Sequence, residues 1–199
     1  MSYRVLMVCT GNICRSVMAQ AVLDSALQRA GVVGVEVDSV GISGEEFGNP
    51  IDRRAANVLR TGGYPIPLHR TRQITLRDIA DSTLILAMTS THFNRVQCLA
   101  TQAGIETHPG ATGPGRTNLR MYRSFGTDPR ISPHDTGEGD PFHCTMPPGD
   151  AAWYRRSELD VPDPWYGTKQ DFVETLRTIE DATPALVEFV RNQISRAEM

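Results

Sequence analysis

The chain reads as an α/β protein built on a parallel sheet covered on both faces by helices. Three observations predict this class. Short apolar runs alternate with stretches of three-and-four helical spacing. Runs such as Val5-Leu6-Met7-Val8 and Leu84-Ile85-Leu86-Ala87-Met88 are apolar throughout, as interior strands are. With 199 residues and 40% hydrophobic content, the chain can bury one substantial core, so residues 1–199 read as a single domain.

The elements follow in order. The first strand spans Tyr3–Val8. A helix runs from Arg15 to Ala30, with Met18, Val22, Leu23, Ala26, Leu27 and Ala30 on one face, and Gly31 stops it. A second strand lies near Val35–Val40. The next helix falls between Asn49-Pro50 and Gly62-Gly63 and buries Ala55, Val58 and Leu59. Asp81–Met88 reads as an interior strand and Thr91–Ala100 as a helix. The last helix spans Thr168–Arg196, and Pro184 is expected to kink or divide it. Two long connections, Gly104–Asn118 and Gly126–Glu158, are rich in Gly and Pro and carry no clear periodicity.

Bulk properties exclude several function classes. The formal net charge is −3 and no basic block marks a nucleic-acid or membrane surface. The apolar runs are too short to span a bilayer, and Met1-Ser2-Tyr3-Arg4 is expected to lead into a strand rather than to form a signal peptide. Cys9, Cys14, Cys98 and Cys144 form neither a disulfide framework nor a zinc pattern. A reduced, cytoplasmic setting is the expectation, with export lacking a signal left open. His134, Asp135, Asp140, His143 and Cys144 share one connection, but their spacing matches no zinc site; a polar surface loop is expected, with no metal and no cofactor. The protein is expected to be a monomer.

The chemistry concentrates in Cys9-Thr10-Gly11-Asn12-Ile13-Cys14-Arg15-Ser16, at a strand-to-helix turn. Backbone N–H groups of such a loop, with the N-terminus of the next helix, converge on an anion. The same field favours thiolate over thiol, so Cys9 is expected to be a nucleophile at neutral pH. Arg15 offers a planar fork suited to two phosphate oxygens. Gly11 permits unusual backbone geometry, and Asn12 tolerates a left-handed one.

This run, continued by Met18-Ala19-Gln20-Ala21, closely resembles the active-site loop of low-molecular-weight protein tyrosine phosphatases. The resemblance extends to Asp38-Ser39-Val40-Gly41-Ile42-Ser43, Gly48-Asn49-Pro50-Ile51-Asp52, His69-Arg70-Thr71-Arg72-Gln73 and Asp163-Pro164-Trp165-Tyr166-Gly167. It implies a four-stranded parallel sheet, with Leu119–Phe125 as the candidate last strand. It makes the stretches near 104–118 and 126–158 insertions, the second placed to form a lid or rim. It also implies hydrolysis of phosphotyrosine in proteins, or of small aryl phosphates, with Cys9 attacking phosphorus. Arg15 and the loop from Thr10 to Ser16 bind phosphate, and Asp163 is the general acid. Pro162 and Pro164 independently restrict the Asp163 loop. Asp160 is a rival acid.

Further roles are implied by the same resemblance. Asn12, Ser16, Ser39 and His69 form a supporting hydrogen-bond network. Trp165 and Tyr166 form a wall against the substrate ring. Cys14 is either a redox guard for Cys9 or a small buried apolar residue. Four positions depart from the family: Val17 for proline, Thr89 for aspartate, Trp165 for tyrosine and Glu45 for a wall tryptophan. Glu45 either biases the pocket toward basic peptides or points away. Competing readings are a thioredoxin-coupled arsenate reductase, which needs a closely spaced cysteine pair that Cys98 and Cys144 do not make. A protein-arginine phosphatase, which has threonine where Ile13 stands, and a phosphotyrosine-binding module without turnover complete the set.

Overall fold

A computed structural model describes residues 2–111, 113–127 and 157–197. Five parallel strands, β1 (Tyr3–Cys9), β2 (Val35–Gly41), β3 (Leu84–Ala87), β4 (Glu106–Thr107) and β5 (Arg116–Met121), form a sheet in the order β2-β1-β3-β5-β4. The helices are α1 (Arg15–Arg29), α2 (Arg53–Thr61), α3 (Leu76–Asp81), α4 (Ser90–Gln102) and α5 (Lys169–Ala197). The chain leaves β1 toward β2 on one side and returns to β3 on the other. The carboxyl end of β1 therefore lies at the point where strand order reverses, the usual ligand position in open parallel sheets.

Side-chain alternation along β1 divides the core. Val5, Met7 and Cys9 face the layer holding α1, α2 and α5, where Leu23, Leu59, Phe172 and Ile179 are buried. Leu6 and Val8 face the layer holding α3 and α4, with Ile79, Phe93 and Val96.

The sheet has five strands where four were expected. Gly104–Asn118 is only partly a loop: it contains the two-residue edge strand β4 and the start of β5. Strand β5 begins at Arg116, and Tyr122–Phe125, expected to continue it, forms a 3₁₀ turn. Thr117 and Arg120 are buried in β5; the Thr117 hydroxyl donates to the Ile79 carbonyl (2.8 Å), and Arg120 lies over the Phe189 ring. Those contacts outweigh the poor strand character of the segment. Asp81 belongs to α3, whose Thr75–Asp78 capping box holds a six-residue helix too short to show a period. Pro184 sits inside α5 without dividing it, because packing against α1, α2 and the Tyr122 turn holds the helix across the lost hydrogen bond. Residues 128–156, with His134, Asp135, Asp140, His143 and Cys144, lie outside the described residues. No helix among the described residues is long and apolar enough to cross a membrane.

Candidate active site

The loop between β1 and α1 folds around the Cys9 thiol, which is 3% exposed. Its Sγ accepts the Asn12 N–H at 3.3 Å and lies 3.0 Å from Ser16 Oγ. Ser16 Oγ also accepts from Asn12 Nδ2 at 3.0 Å, which leaves its own proton free to point at sulfur. Cys14 stands at the N-cap of α1 and gives no side-chain cap, so the first N–H groups of the helix are left to the loop's contents.

The left-handed residue of the loop is Asn12 (φ 58°), not Gly11. Such a conformation is costly for a side-chain-bearing residue and persists only when its surroundings fix it. Asn12 is fully buried. Its Nδ2 donates to Ser16 and Ser39, its Oδ1 accepts from the Arg72 N–H (3.1 Å), and its carbonyl accepts from His69 Nε2 (2.7 Å). That last bond assigns the Nε2–H tautomer, since a carbonyl only accepts. Burial pulls the His69 pKa down, opposed by the Asn12 carbonyl. Ser39 passes the chain on to Gln20 Oε1 (2.8 Å). All four residues named for this network are thus brought together.

Gly41, at the end of β2, lies directly beneath the loop. A Cβ there would stand 2.5 Å from the Thr10 carbonyl oxygen and 3.1 Å from the Asn12 nitrogen, both backbone atoms. Gly41→Ala is therefore expected to displace the loop, lowering activity by more than about tenfold and stability by about 1–3 kcal/mol. Steady-state kinetics and denaturant unfolding check this; a variant with unchanged kinetics contradicts the close approach.

Arg15 is 5% exposed, and its Nη2 donates to Asp163 Oδ2 at 2.7 Å. The same Nη2 lies 3.4 Å from Thr10 Oγ1, and Nη1 lies 3.5 Å from the Val161 carbonyl. Nucleophile, guanidinium and carboxyl group therefore meet in one place, from opposite ends of the chain. The loop bearing Asp163 is tied down at several points. The Val161 N–H donates to the Met88 carbonyl (2.7 Å) and Thr175 Oγ1 to the Pro162 carbonyl (3.2 Å). Arg54 donates to the Trp165 and Gly167 carbonyls, while its guanidinium also binds Asp52, the N-cap of α2. The Asp52 N–H in turn donates to the Ile13 carbonyl (2.9 Å), which joins acid loop and anion loop through α2. Asp160, the rival acid, instead accepts the Ser90 N–H (2.7 Å) at the start of α4.

Cys9, Thr10, Gly11, Ile13, Cys14, Arg15, Glu45, Glu46, Asp163, Trp165 and Tyr166 line a cleft of about 230 Å³. Glu45 therefore faces the cleft, whereas Phe47 is exposed and outside its lining. Tyr166 is 97% exposed, while Trp165 is half-buried under the Arg54 guanidinium. Cys14 is buried, and burial first, then Asp52, pushes its thiol far above the ordinary range.

One residue was missed. His92, buried in α4, bonds Thr10 Oγ1 through Nε2 and Thr89 Oγ1 through Nδ1, both at 2.9 Å. Burial and then the Arg15 charge lower its pKa to about 3, so it is neutral. The neutral ring therefore donates through one nitrogen and accepts through the other, and ties the two threonine hydroxyls together. Only the helical fold brings position 92 to position 10; its sole signal in the sequence was Thr89 in place of the family aspartate.

A buried thiol beside a backbone N–H, with a guanidinium and a carboxyl group across it at the carboxyl end of a parallel sheet, makes a cleft that can hold a small anion. The profile of the family described as low molecular weight phosphotyrosine protein phosphatase matches residues 4–108, and the chain belongs to that family. It is 34% identical over 193 residues to low molecular weight protein-tyrosine phosphatase A of Mycobacterium tuberculosis, covering 96% of this chain and 94% of the relative. It is 33% identical over 195 residues to the low molecular weight protein-tyrosine-phosphatase of Streptomyces coelicolor, covering 98% and 97%. The crystal structure of YfkJ from Bacillus subtilis superposes with a TM-score of 0.71 over 97% of both chains at 23% identity, which shows the shared fold.

Proposed function

We propose that this chain is a protein-tyrosine phosphatase that hydrolyses aryl phosphate monoesters through a thiophosphate on Cys9. The observation that carries this is the meeting of Cys9, Arg15 and Asp163 at the carboxyl end of β1. In the first step the Cys9 thiolate attacks phosphorus and the P–O bond to the ring breaks. The departing phenolate takes the proton of Asp163. Arg15 and the loop N–H groups bind the equatorial oxygens throughout. In the second step water attacks phosphorus, Asp163 takes a proton from it, and the P–S bond breaks. Ser16 Oγ then donates to the returning thiolate, which makes Cys9 a better leaving group.

Binding begins with an exchange of partners. The substrate phosphate takes Arg15 away from Asp163, and a carboxyl group beside a dianion tends to keep its proton. Arg15 therefore moves from acid to substrate as the cleft fills. Ile13, Trp165 and Tyr166 give the cleft apolar walls suited to a ring. Cys9 is buried among these lining residues, so a phosphate reaching sulfur brings its ring against them. The positive field comes from Arg15 and the loop, so the reaction needs no metal or cofactor.

Cys98 is exposed on α4 outside the cleft lining, so it gives the reductase reading no support. Turnover of otherwise identical phosphotyrosine, phosphoserine and phosphoarginine peptides, with chelator present, tests the proposal. Phosphotyrosine is expected to be preferred by at least about 10²-fold, with no effect of chelator. Preference for phosphoarginine, or dependence on added metal, contradicts it.

A further inference from the structure

Behind the Trp165 wall lies a second, larger concavity of about 770 Å³, lined by Asp52, Arg53, Arg54, Ala56, Asn57, Arg60 and Lys169. Four of these side chains are cations and one is a carboxylate. Helical spacing puts Arg53, Ala56, Asn57 and Arg60 on one face of α2, and Lys169 opens α5 beside it. Asp52 is satisfied by Arg54. Arg53, Arg60 and Lys169 are exposed, and among the described residues none has an ion-pair partner.

This groove adjoins the cleft across Trp165. Arg54 lines the groove, and its guanidinium holds the Trp165 carbonyl and lies 5.6 Å from the Trp165 ring. Trp165 in turn lines the cleft, whose remaining rim carries Glu45 and Glu46. A phosphotyrosine in the cleft thus has cations behind the Trp165 wall and carboxylates at Glu45 and Glu46. Since the whole chain carries a net charge of −3, the groove is a local feature rather than part of a basic surface. Charge attraction is screened beyond about 8 Å at physiological ionic strength, so only groups seated in the groove feel it.

Building on the phosphatase reading, we propose that this groove binds an acidic segment flanking the phosphotyrosine of a protein substrate. Arg53, Arg60 and Lys169 are then specificity residues for the substrate chain. They act on its affinity and not on the phosphoryl transfer itself.

Three phosphotyrosine peptides and a small aryl phosphate test this: one peptide with an acidic triplet before the phosphotyrosine, one with it after, one with neutral amides. Wild type is expected to favour one acidic placement by about tenfold in kcat/KM, and high salt removes the preference. Arg53→Glu/Arg60→Glu is expected to abolish that preference while the aryl phosphate rate stays within about twofold, the scale on which exposed charge changes act at a distance. Affinities of Cys9→Ser for the same peptides read the groove without turnover. This separates its failure from failure of the phosphatase reading. Equal affinity for all three peptides overturns the proposal even if the enzyme is active. So does an equal loss on the aryl phosphate in the double variant. Loss of binding to anionic lipid vesicles with peptide preference intact also overturns it, in favour of a membrane surface.

Discussion

Replacing Cys9 with serine is expected to remove turnover of phosphotyrosine by at least about 10⁴-fold, the scale on which loss of a covalent nucleophile falls. Serine fits the space, so the fold and the Asn12 network stay. The hydroxyl keeps its proton, however, because among the described residues no general base is hydrogen-bonded to position 9. The neighbours of Sγ are the Asn12 N–H and Ser16 Oγ, which stabilise an anion but do not take a proton from an alcohol. Phosphate affinity is expected to persist, since Arg15 and the loop N–H groups are untouched. Loss of phosphate binding together with turnover would instead mean a collapsed loop.

Asp163→Asn is expected to lower kcat on phosphotyrosine by about 10²–10⁴-fold, the range for a lost general acid. The defect should shrink on an activated aryl ester, whose phenolate leaves unprotonated. The substitution also removes the carboxylate that holds Arg15 in the resting protein. Inorganic phosphate should therefore inhibit the variant at least as well as the wild type. Asp160→Asn serves as the comparison. That side chain accepts the Ser90 N–H, and asparagine keeps an acceptor oxygen there, so the substitution is expected to cost less than about 1 kcal/mol of stability and to show no leaving-group dependence. A leaving-group effect at Asp160 and none at Asp163 would reverse the assignment. Kinetics on two aryl phosphates of different leaving ability read both variants.

The first half of the fold was legible because each element carries its own signal. Strand β1 is a continuous apolar run, α1 has a clean helical period, and the loop between them has a distinctive composition. Two later elements were not legible and a third, β5, was legible only in part, each for a physical reason. Helix α3 is one and a half turns long, and its capping box was the only local trace. Strand β4 has two residues and exists only by pairing with β5. In β5, Thr117, Asn118 and Arg120 are polar yet buried, which tertiary partners permit and hydrophobic patterning does not anticipate. In the site, the residues of one contiguous loop were readable, and so were those matching family motifs. The connecting roles of Asp52, Arg54 and His92 were not. Their partners lie up to 113 positions away in the chain, and neither the motif holding Asp52 nor Thr89 near His92 tells what these side chains bind. Gly41 was seen only as part of a motif; its reason, backbone passing 2.5 Å from where a Cβ would stand, is a property of the folded chain.

The covalent step is the centre of this account. Rapid acid quench of the enzyme turning over an aryl phosphate, followed by mass analysis of its peptides, tests it most directly. One phosphoryl group is expected on the peptide carrying Cys9 within the first turnover, and none in Cys9→Ser. Turnover with no phosphorylated enzyme, or with phosphate carried on Cys14, would contradict it.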